Sequence, residues 1–99
     1  MLRPGQETVI HDHVTWCAVG MLQGLESEEL FSVDAGGVLT PAGRTLARPG
    51  DVSGFAPPGD IHRIRNVGDD LSVSINVYGT DVARIGSSVR RIYEPVFER

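Results

Sequence analysis

The stretch LSVSINVY, residues 71–78, is the clearest strand in this chain. Its apolar and polar residues alternate without interruption. Side chains of a β-strand leave opposite faces of the sheet at every step, so a period of two separates the two sets. The stretch therefore predicts a strand with Leu71, Val73, Ile75 and Val77 on one face and Ser72, Ser74, Asn76 and Tyr78 on the other.

Turn signals recur about every ten residues on either side of this strand, among them RPG, DAGG, TPAG, PPGD and YGTD. The segments between them are rich in Val, Ile, Leu and Thr, a pattern typical of all-β sandwiches and barrels. We therefore predict an all-β jelly roll. Its strands are expected at Thr8–Trp16, Cys17–Leu25, Glu28–Val33, Val38–Ala47, Val52–Ala56, Ile61–Asn66, Leu71–Tyr78 and Val89–Tyr93.

The length, charge and composition of the chain limit the classes of protein to which it can belong. A length of 99 residues predicts one domain, residues 1–99. The net charge is −4 and the arginines are scattered, which argues against a nucleic-acid-binding face. No apolar run is long enough to span a bilayer, and none follows Arg3 as a secretory signal would require. A single cysteine cannot form an internal disulfide, so we expect a cytoplasmic protein. From the charge and the lack of long apolar runs we expect neither nucleic-acid nor membrane partners.

The segment IHDHVTWC, residues 10–17, contains two of the three histidines. His11 and His13 are two apart, so on a strand both imidazoles leave the same face and can share one metal ion. The remaining histidine, His62 in PPGDIHRIRN, would complete a three-histidine set if its segment lies beside the first. Such a set suits dioxygen or thiolate chemistry at Fe(II), and it also suits catalytic zinc. The alternative is a chance pattern with His62 on the surface, since His-x-His alone is weak.

The first of these segments resembles a motif of the cupin superfamily. In GQETVIHDHVTWCAVGMLQG the motif positions are occupied by Gly5, His11, His13 and Gly24. Cys17 stands where most cupins carry a glutamate ligand. The resemblance implies a cupin-type double-stranded β-helix, which is a jelly-roll barrel.

A later segment, GDVSGFAPPGDIHRIRN at residues 50–66, resembles the second cupin motif. Pro57, Gly59, His62 and Asn66 match, whereas Gly50 is one residue further upstream than is usual. Together the two motifs cover about half of the chain and occur in the expected order.

Cysteine at the glutamate position is similar to the cysteine dioxygenase family of thiol dioxygenases. HDHVTWC followed by LQG resembles that family's first motif with one residue fewer after His13. The resemblance implies Fe(II) held by His11, His13 and His62, with zinc or nickel as metals that the purified protein could contain instead. It also implies O2 and a small thiol as substrates and a sulfinate as product. SVSINVY resembles the Ser-x-His-x-Tyr run beside the family's iron, so the resemblance further implies catalytic roles for Tyr78, Ser74, Asn76 and Cys17.

Two features of these four residues bear on catalysis. Asn76 replaces the histidine of the family's Ser-x-His-x-Tyr run, and an amide can donate a hydrogen bond but cannot relay a proton. Tyr78 and Cys17 occupy the two positions that a thioether joins in some family members. The ordinary alternatives are a small buried hydrophobic residue for Cys17 and a packing residue for Tyr78.

In amino-acid-using members an arginine well upstream of the first motif grips the substrate carboxylate, and we do not transfer this role to any particular arginine of this chain. Only Arg3 precedes the first motif, while Arg63 and Arg65 alternate away from the face of His62. Arg44 and Arg48 cannot be placed. Three alternatives stay open. Either another arginine binds the substrate carboxylate, or the substrate lacks a carboxylate, or the protein has no substrate of this kind. Asp12 alternates away from the two histidines beside it, and we expect it to be solvated.

Three functions follow from these observations. We favour an enzyme, a non-haem iron dioxygenase that adds O2 to a small thiol. The second is a non-catalytic metal-bound cupin that binds a small ligand, and the third is a zinc-type hydrolase or isomerase. Strand edges that need covering favour a homodimer.

Overall fold

The computed structural model describes residues 1–79 and 88–93. Within these residues the chain forms eight β-strands and no helix, which confirms the all-β class. Each strand coincides with a predicted one, and most are shorter at their ends. The strands are β1 Ile10–His13, β2 Cys17–Gln23, β3 Glu26–Val33, β4 Leu39–Ala47, β5 Val52–Phe55, β6 His62–Asn66, β7 Val73–Tyr78 and β8 Val89–Tyr93.

The strands form two antiparallel sheets. One has the order β4-β3-β6-β1-β8 and the other the order β5-β2-β7. Apart from the step from β3 to β4, each connection takes the chain from one sheet to the other. Residues of both sheets line one cavity, so the sheets face each other. The described residues contain no helix long and apolar enough to cross a membrane.

Strand register brings distant segments together in the larger sheet. His11 of β1 lies directly opposite His62 of β6. On the other side of β6, Leu30 of β3 is the partner of His62 and Glu28 is the partner of Ile64. The inner faces of β1, β6 and β3 are therefore adjacent, and their inward side chains meet.

The buried apolar cluster lies on the opposite side of β1. It consists of Ile10, Phe31, Leu39, Ile61 and Tyr93, with Val33 packed against it. Because Ile10 alternates with His11 along the strand, this cluster and the imidazoles occupy opposite faces. One strand thus contributes to the core with one face and to the histidine group with the other.

Gly24 lies in the tight connection between β2 and β3. Its φ is +83°, and a Cβ at this position would lie 2.8 Å from the Cα of Ser72. The left-handed conformation and this close backbone approach both require glycine. Nearby, the fully buried amide of Asn66 donates to the carbonyls of Leu2 and Asp70.

Strand β7 turns its polar face inward. Ser74, Asn76 and Tyr78 line the cavity, whereas Ile75 and Val77 are 55% and 52% exposed. The apolar face of LSVSINVY therefore lies on the outside of this sheet, and the interior between the sheets is partly polar. The homodimer stays a prediction.

Candidate metal centre

Three buried imidazoles converge on the inner face of the larger sheet. His11 and His13 extend from β1, and His62 extends from the neighbouring β6. Their ring centroids are 4.8 to 5.0 Å apart. One nitrogen from each lies within 4.8 Å of the others, close enough to bind a metal ion. The sequence prediction that these three residues form one group is confirmed.

Each imidazole donates its Nδ1 proton to a fixed acceptor. His11 Nδ1 is 2.7 Å from the carbonyl oxygen of Val9. His13 Nδ1 is 3.3 Å from Asp60 Oδ2, and His62 Nδ1 is 2.8 Å from Glu28 Oε2. Carbonyl and carboxylate oxygens only accept, so Nδ1 carries the hydrogen in all three rings and Nε2 keeps its lone pair. Partners of this kind orient metal-binding histidines and make them more basic.

The two carboxylates reach the histidines by different routes. Glu28 is the partner of Ile64 in the β3–β6 register, so His62 is its diagonal neighbour. Asp60 precedes β6, and its Oδ2 also accepts from the backbone nitrogen of His13 at 2.9 Å. Neither residue was predicted as part of the site. Asp60 is two positions from His62 and could have been considered, but the register that places Glu28 is not visible in the sequence.

The electrostatic setting favours the neutral forms of His11 and His13. Burial lowers the pKa of His11, and the charge of His62 lowers it further. For His13, burial again lowers the pKa, followed by the effects of His62 and His11. The neutral ring is the form that binds metals.

The donor set fits a divalent transition metal. At tetrahedral or octahedral angles, two metal–nitrogen bonds of about 2.1 Å place the nitrogens about 3.0–3.4 Å apart. Nitrogens that lie up to 4.8 Å apart must therefore close by about 1.5 Å on binding. Three neutral nitrogen ligands suit Fe(II), zinc or nickel, and they do not select among them.

Aromatic rings of the smaller sheet cover the imidazoles. The ring of Phe55, on β5, lies 4.7 Å from the rings of both His13 and His62. Tyr78, on β7, stacks on His13 at 6.4 Å. These contacts bridge the two sheets and exclude part of the solvent from the site.

A cavity of about 510 Å³ opens beside the histidines. Three of the four residues with predicted catalytic roles line it, namely Ser74, Asn76 and Tyr78. Asn76 Nδ2 donates to Ser74 Oγ at 3.4 Å, so the two side chains form part of a polar row along β7. Burial raises the pKa of Tyr78, which keeps its phenol protonated and able to donate a hydrogen bond.

Cys17 has a different position from the other three. It is 2% exposed and lies directly opposite Tyr78 in the β2–β7 register. Cys17 is not among the described residues that line the cavity, nor does it belong to the histidine group. Burial raises the pKa of its thiol, so the thiol is protonated at neutral pH.

The expectation that Asp12 is solvated is wrong. Asp12 is 3% exposed and accepts a hydrogen bond of 2.8 Å from the hydroxyl of Tyr93, on β8. Its Oδ2 also accepts from Arg90. Burial raises the pKa of Asp12, but the hydrogen bonds from Arg90 and Tyr93 outweigh it and the pKa is lowered. The reason is that β8 pairs with β1 in the same sheet and places the side chains of Tyr93 and Arg90 against the face that alternation predicted to be exposed.

The arginines named from the sequence lie away from the histidines. Arg63 pairs with Glu29 at 3.1 Å, on the opposite face of β6 from His62, as its alternation predicted. None of Arg3, Arg44, Arg48 and Arg65 is among the described residues lining the cavity.

No protein-family model matches the chain. The candidate site is therefore defined by its geometry, which combines three buried imidazoles, two supporting carboxylates and an adjacent cavity.

Proposed function

We propose that this protein is a compact cupin whose metal ion is held by His11, His13 and His62. The observation that carries the proposal is the convergence of the three imidazoles with each Nδ1 already engaged. The two facing antiparallel sheets support the jelly-roll arrangement. So does the backbone at the glycines of the two motifs, since all have positive φ: Gly5, Gly24, Gly50 and Gly59.

The proposed reaction is the oxidation of a small thiol to a sulfinate by O2 at Fe(II). Fe(II), when bound, would supply adjacent open positions at which a thiolate and O2 can react. Both oxygen atoms of O2 end on the sulfur, which loses four electrons while O2 gains four. The reaction therefore needs no other reductant.

The side chains around the cavity have separate roles in this proposal. The Tyr78 phenol donates a hydrogen bond to the ligand, because its raised pKa keeps the proton in place. Ser74 and Asn76 offer further hydrogen bonds on the same face of β7, and the Phe55 ring limits the access of water. Cys17 acts through Tyr78, its partner across the strands.

A non-catalytic, ligand-binding role is the second candidate, and Asn76 favours it. Asn76 lines the cavity but cannot carry a proton near neutral pH as a histidine would. In that case a thiol would bind and stabilise the metal-loaded protein without being oxidised.

Oxygen uptake separates the two candidates. The protein is first analysed for metal as purified, then reconstituted anaerobically with Fe(II) and mixed with cysteamine, cysteine or 3-mercaptopropionate in the presence of O2. We expect uptake of O2 with a matching amount of sulfinate by mass spectrometry, and none from zinc-loaded protein. Thermal stabilisation by a thiol without any uptake of O2 would support the ligand-binding role and overturn the dioxygenase proposal.

A further inference from the structure

The wall of the cavity is acidic. Its lining residues include Glu26, Glu28 and Asp51, together with Met1 and its N-terminal amino group, and no lysine or arginine among residues 1–79 and 88–93. A cavity wall on which one sign of charge predominates favours ligands of the opposite sign.

Glu26 and Glu28 lie two apart on β3, so both side chains leave its inner face. Glu26 is 7% exposed, and its Oε2 accepts a hydrogen bond of 2.6 Å from the Ser72 hydroxyl. The Oε2 of Glu28 accepts from His62. In each of these two hydrogen bonds the carboxylate uses one of its two oxygens.

The summed charge near the metal centre disfavours a second anionic group on the ligand. Two positive charges on a divalent ion are offset by Glu28 and Asp60, which hydrogen-bond to the imidazoles. Glu26 and Asp51 then leave the cavity wall negative, because the N-terminal amino group of Met1 offsets only one of these two charges. A thiolate ligand of such an ion would add another negative charge. A carboxylate on the same ligand is repelled in this setting, whereas an ammonium group is attracted.

We propose that the cavity selects a small thiol that carries an ammonium group and no carboxylate, with Glu26 and Glu28 facing the ammonium. This inference rests on the proposed thiol ligand of the metal centre and names its class. Cysteamine represents that class, while cysteine and 3-mercaptopropionate carry the carboxylate that the cavity disfavours.

The test measures binding rather than turnover. Zinc-loaded protein, which cannot oxidise a thiol through its metal, is titrated calorimetrically without O2 with cysteamine, cysteine and 3-mercaptopropionate. We expect cysteamine to bind roughly tenfold or more tightly than either carboxylate-bearing thiol. Equal affinities, tighter binding of a carboxylate, or no binding of any thiol would overturn the inference.

A pair of neighbouring variants tests the role of Glu26. Glu26→Gln retains an acceptor for Ser72 but removes the charge, so the preference for cysteamine should fall several-fold. Glu29→Gln is the matched control, because Glu29 pairs with Arg63 away from the cavity and the preference should be unchanged. An unchanged preference in Glu26→Gln, with wild-type binding of zinc, would contradict the assignment.

Arg84, which lies outside the described residues, is tested in the same way. If Arg84→Gln removes measurable binding of cysteine or 3-mercaptopropionate, an arginine serves a carboxylate and the inference fails. The outcomes are separable from those of oxygen uptake. Selective binding of cysteamine without oxidation would overturn only the dioxygenase, and oxidation of a carboxylate thiol in preference to cysteamine would overturn only the inference.

Discussion

Glu28 and His62 are 34 positions apart in the chain, yet their side chains are joined by a hydrogen bond of 2.8 Å. The carboxylate accepts the Nδ1 proton, so Nε2 of His62 keeps the lone pair with which it can bind a metal ion. The side chain of His62 is only 5% exposed, and that of Glu28 is 22% exposed. A charged acceptor in this partly shielded position holds the ring more firmly than water would.

The first prediction concerns this carboxylate. Glu28→Gln should weaken metal binding by about 10- to 100-fold, because the amide is a poorer acceptor and makes the imidazole less basic. Competition with a chromophoric chelator measures the change. Glu29→Gln, at the next position of the same strand, is expected to bind metal like the wild type. Equal affinities in the two variants would show that Glu28 does not support the site.

The second prediction concerns the histidines themselves. Replacing His11, His13 or His62 by alanine should reduce metal content after dialysis to a small fraction of the wild-type value. Metal at a hundredfold excess over Kd should stabilise the wild type by about 2.7 kcal/mol. That corresponds to a rise in Tm of roughly 10 °C or more for a domain of this size. If a variant keeps both the metal and this rise in Tm, the histidine replaced in it is not a ligand of the metal.

The third prediction concerns Asp12. Asp12→Asn removes the buried charge that accepts from Tyr93 and Arg90, so the free energy of unfolding should fall by about 1–3 kcal/mol. Urea unfolding of the metal-free protein measures this without a contribution from metal binding. Asp69→Asn is the control, since Asp69 is exposed and should change stability by less than about 0.5 kcal/mol. Similar midpoints for both variants would contradict a stabilising role.

The fourth prediction compares two glycines. Gly24→Ala should destabilise the protein by more than about 1–2 kcal/mol, because its φ is positive and a Cβ would lie 2.8 Å from Ser72 Cα. Gly20→Ala, in β2, meets no atom within 4 Å and should be neutral or slightly stabilising. Thermal unfolding of the two variants provides the comparison, and a Gly24→Ala protein as stable as the wild type would be inconsistent with this backbone geometry.

The fifth prediction rests on the proposed function and concerns Cys17 and Tyr78. They are directly opposed across β2 and β7, which places their Cβ atoms about 4.5–5.5 Å apart. A thioether between the cysteine sulfur and the tyrosine ring would release two electrons and two protons to O2. We expect the Fe(II) protein, after exposure to O2, to contain a fraction lighter by two hydrogen atoms. Tyr78→Phe should lack it, and an unaltered mass in the wild type would rule out the link.

The strands could be predicted from the sequence because alternation and turn residues are local signals. The eight segments found in the described residues coincide with the eight predicted ones. The three histidines were also predictable, since His11 and His13 share a strand face and only one further histidine exists. Which strand faces are buried was harder to predict from the sequence. Asp12 was placed in solvent because alternation does not reveal that Tyr93 covers the outer face of β1.

The sequence by itself determined the all-β class, the positions of the strands and the identity of the three histidines, because these depend on local periodicity and residue type. Only the tertiary structure decided which carboxylates support the imidazoles, that Cys17 faces Tyr78, and that the polar side of β7 lines the cavity. These are consequences of strand register and sheet order. Both join residues tens of positions apart through backbone pairing, which no local pattern in the chain specifies.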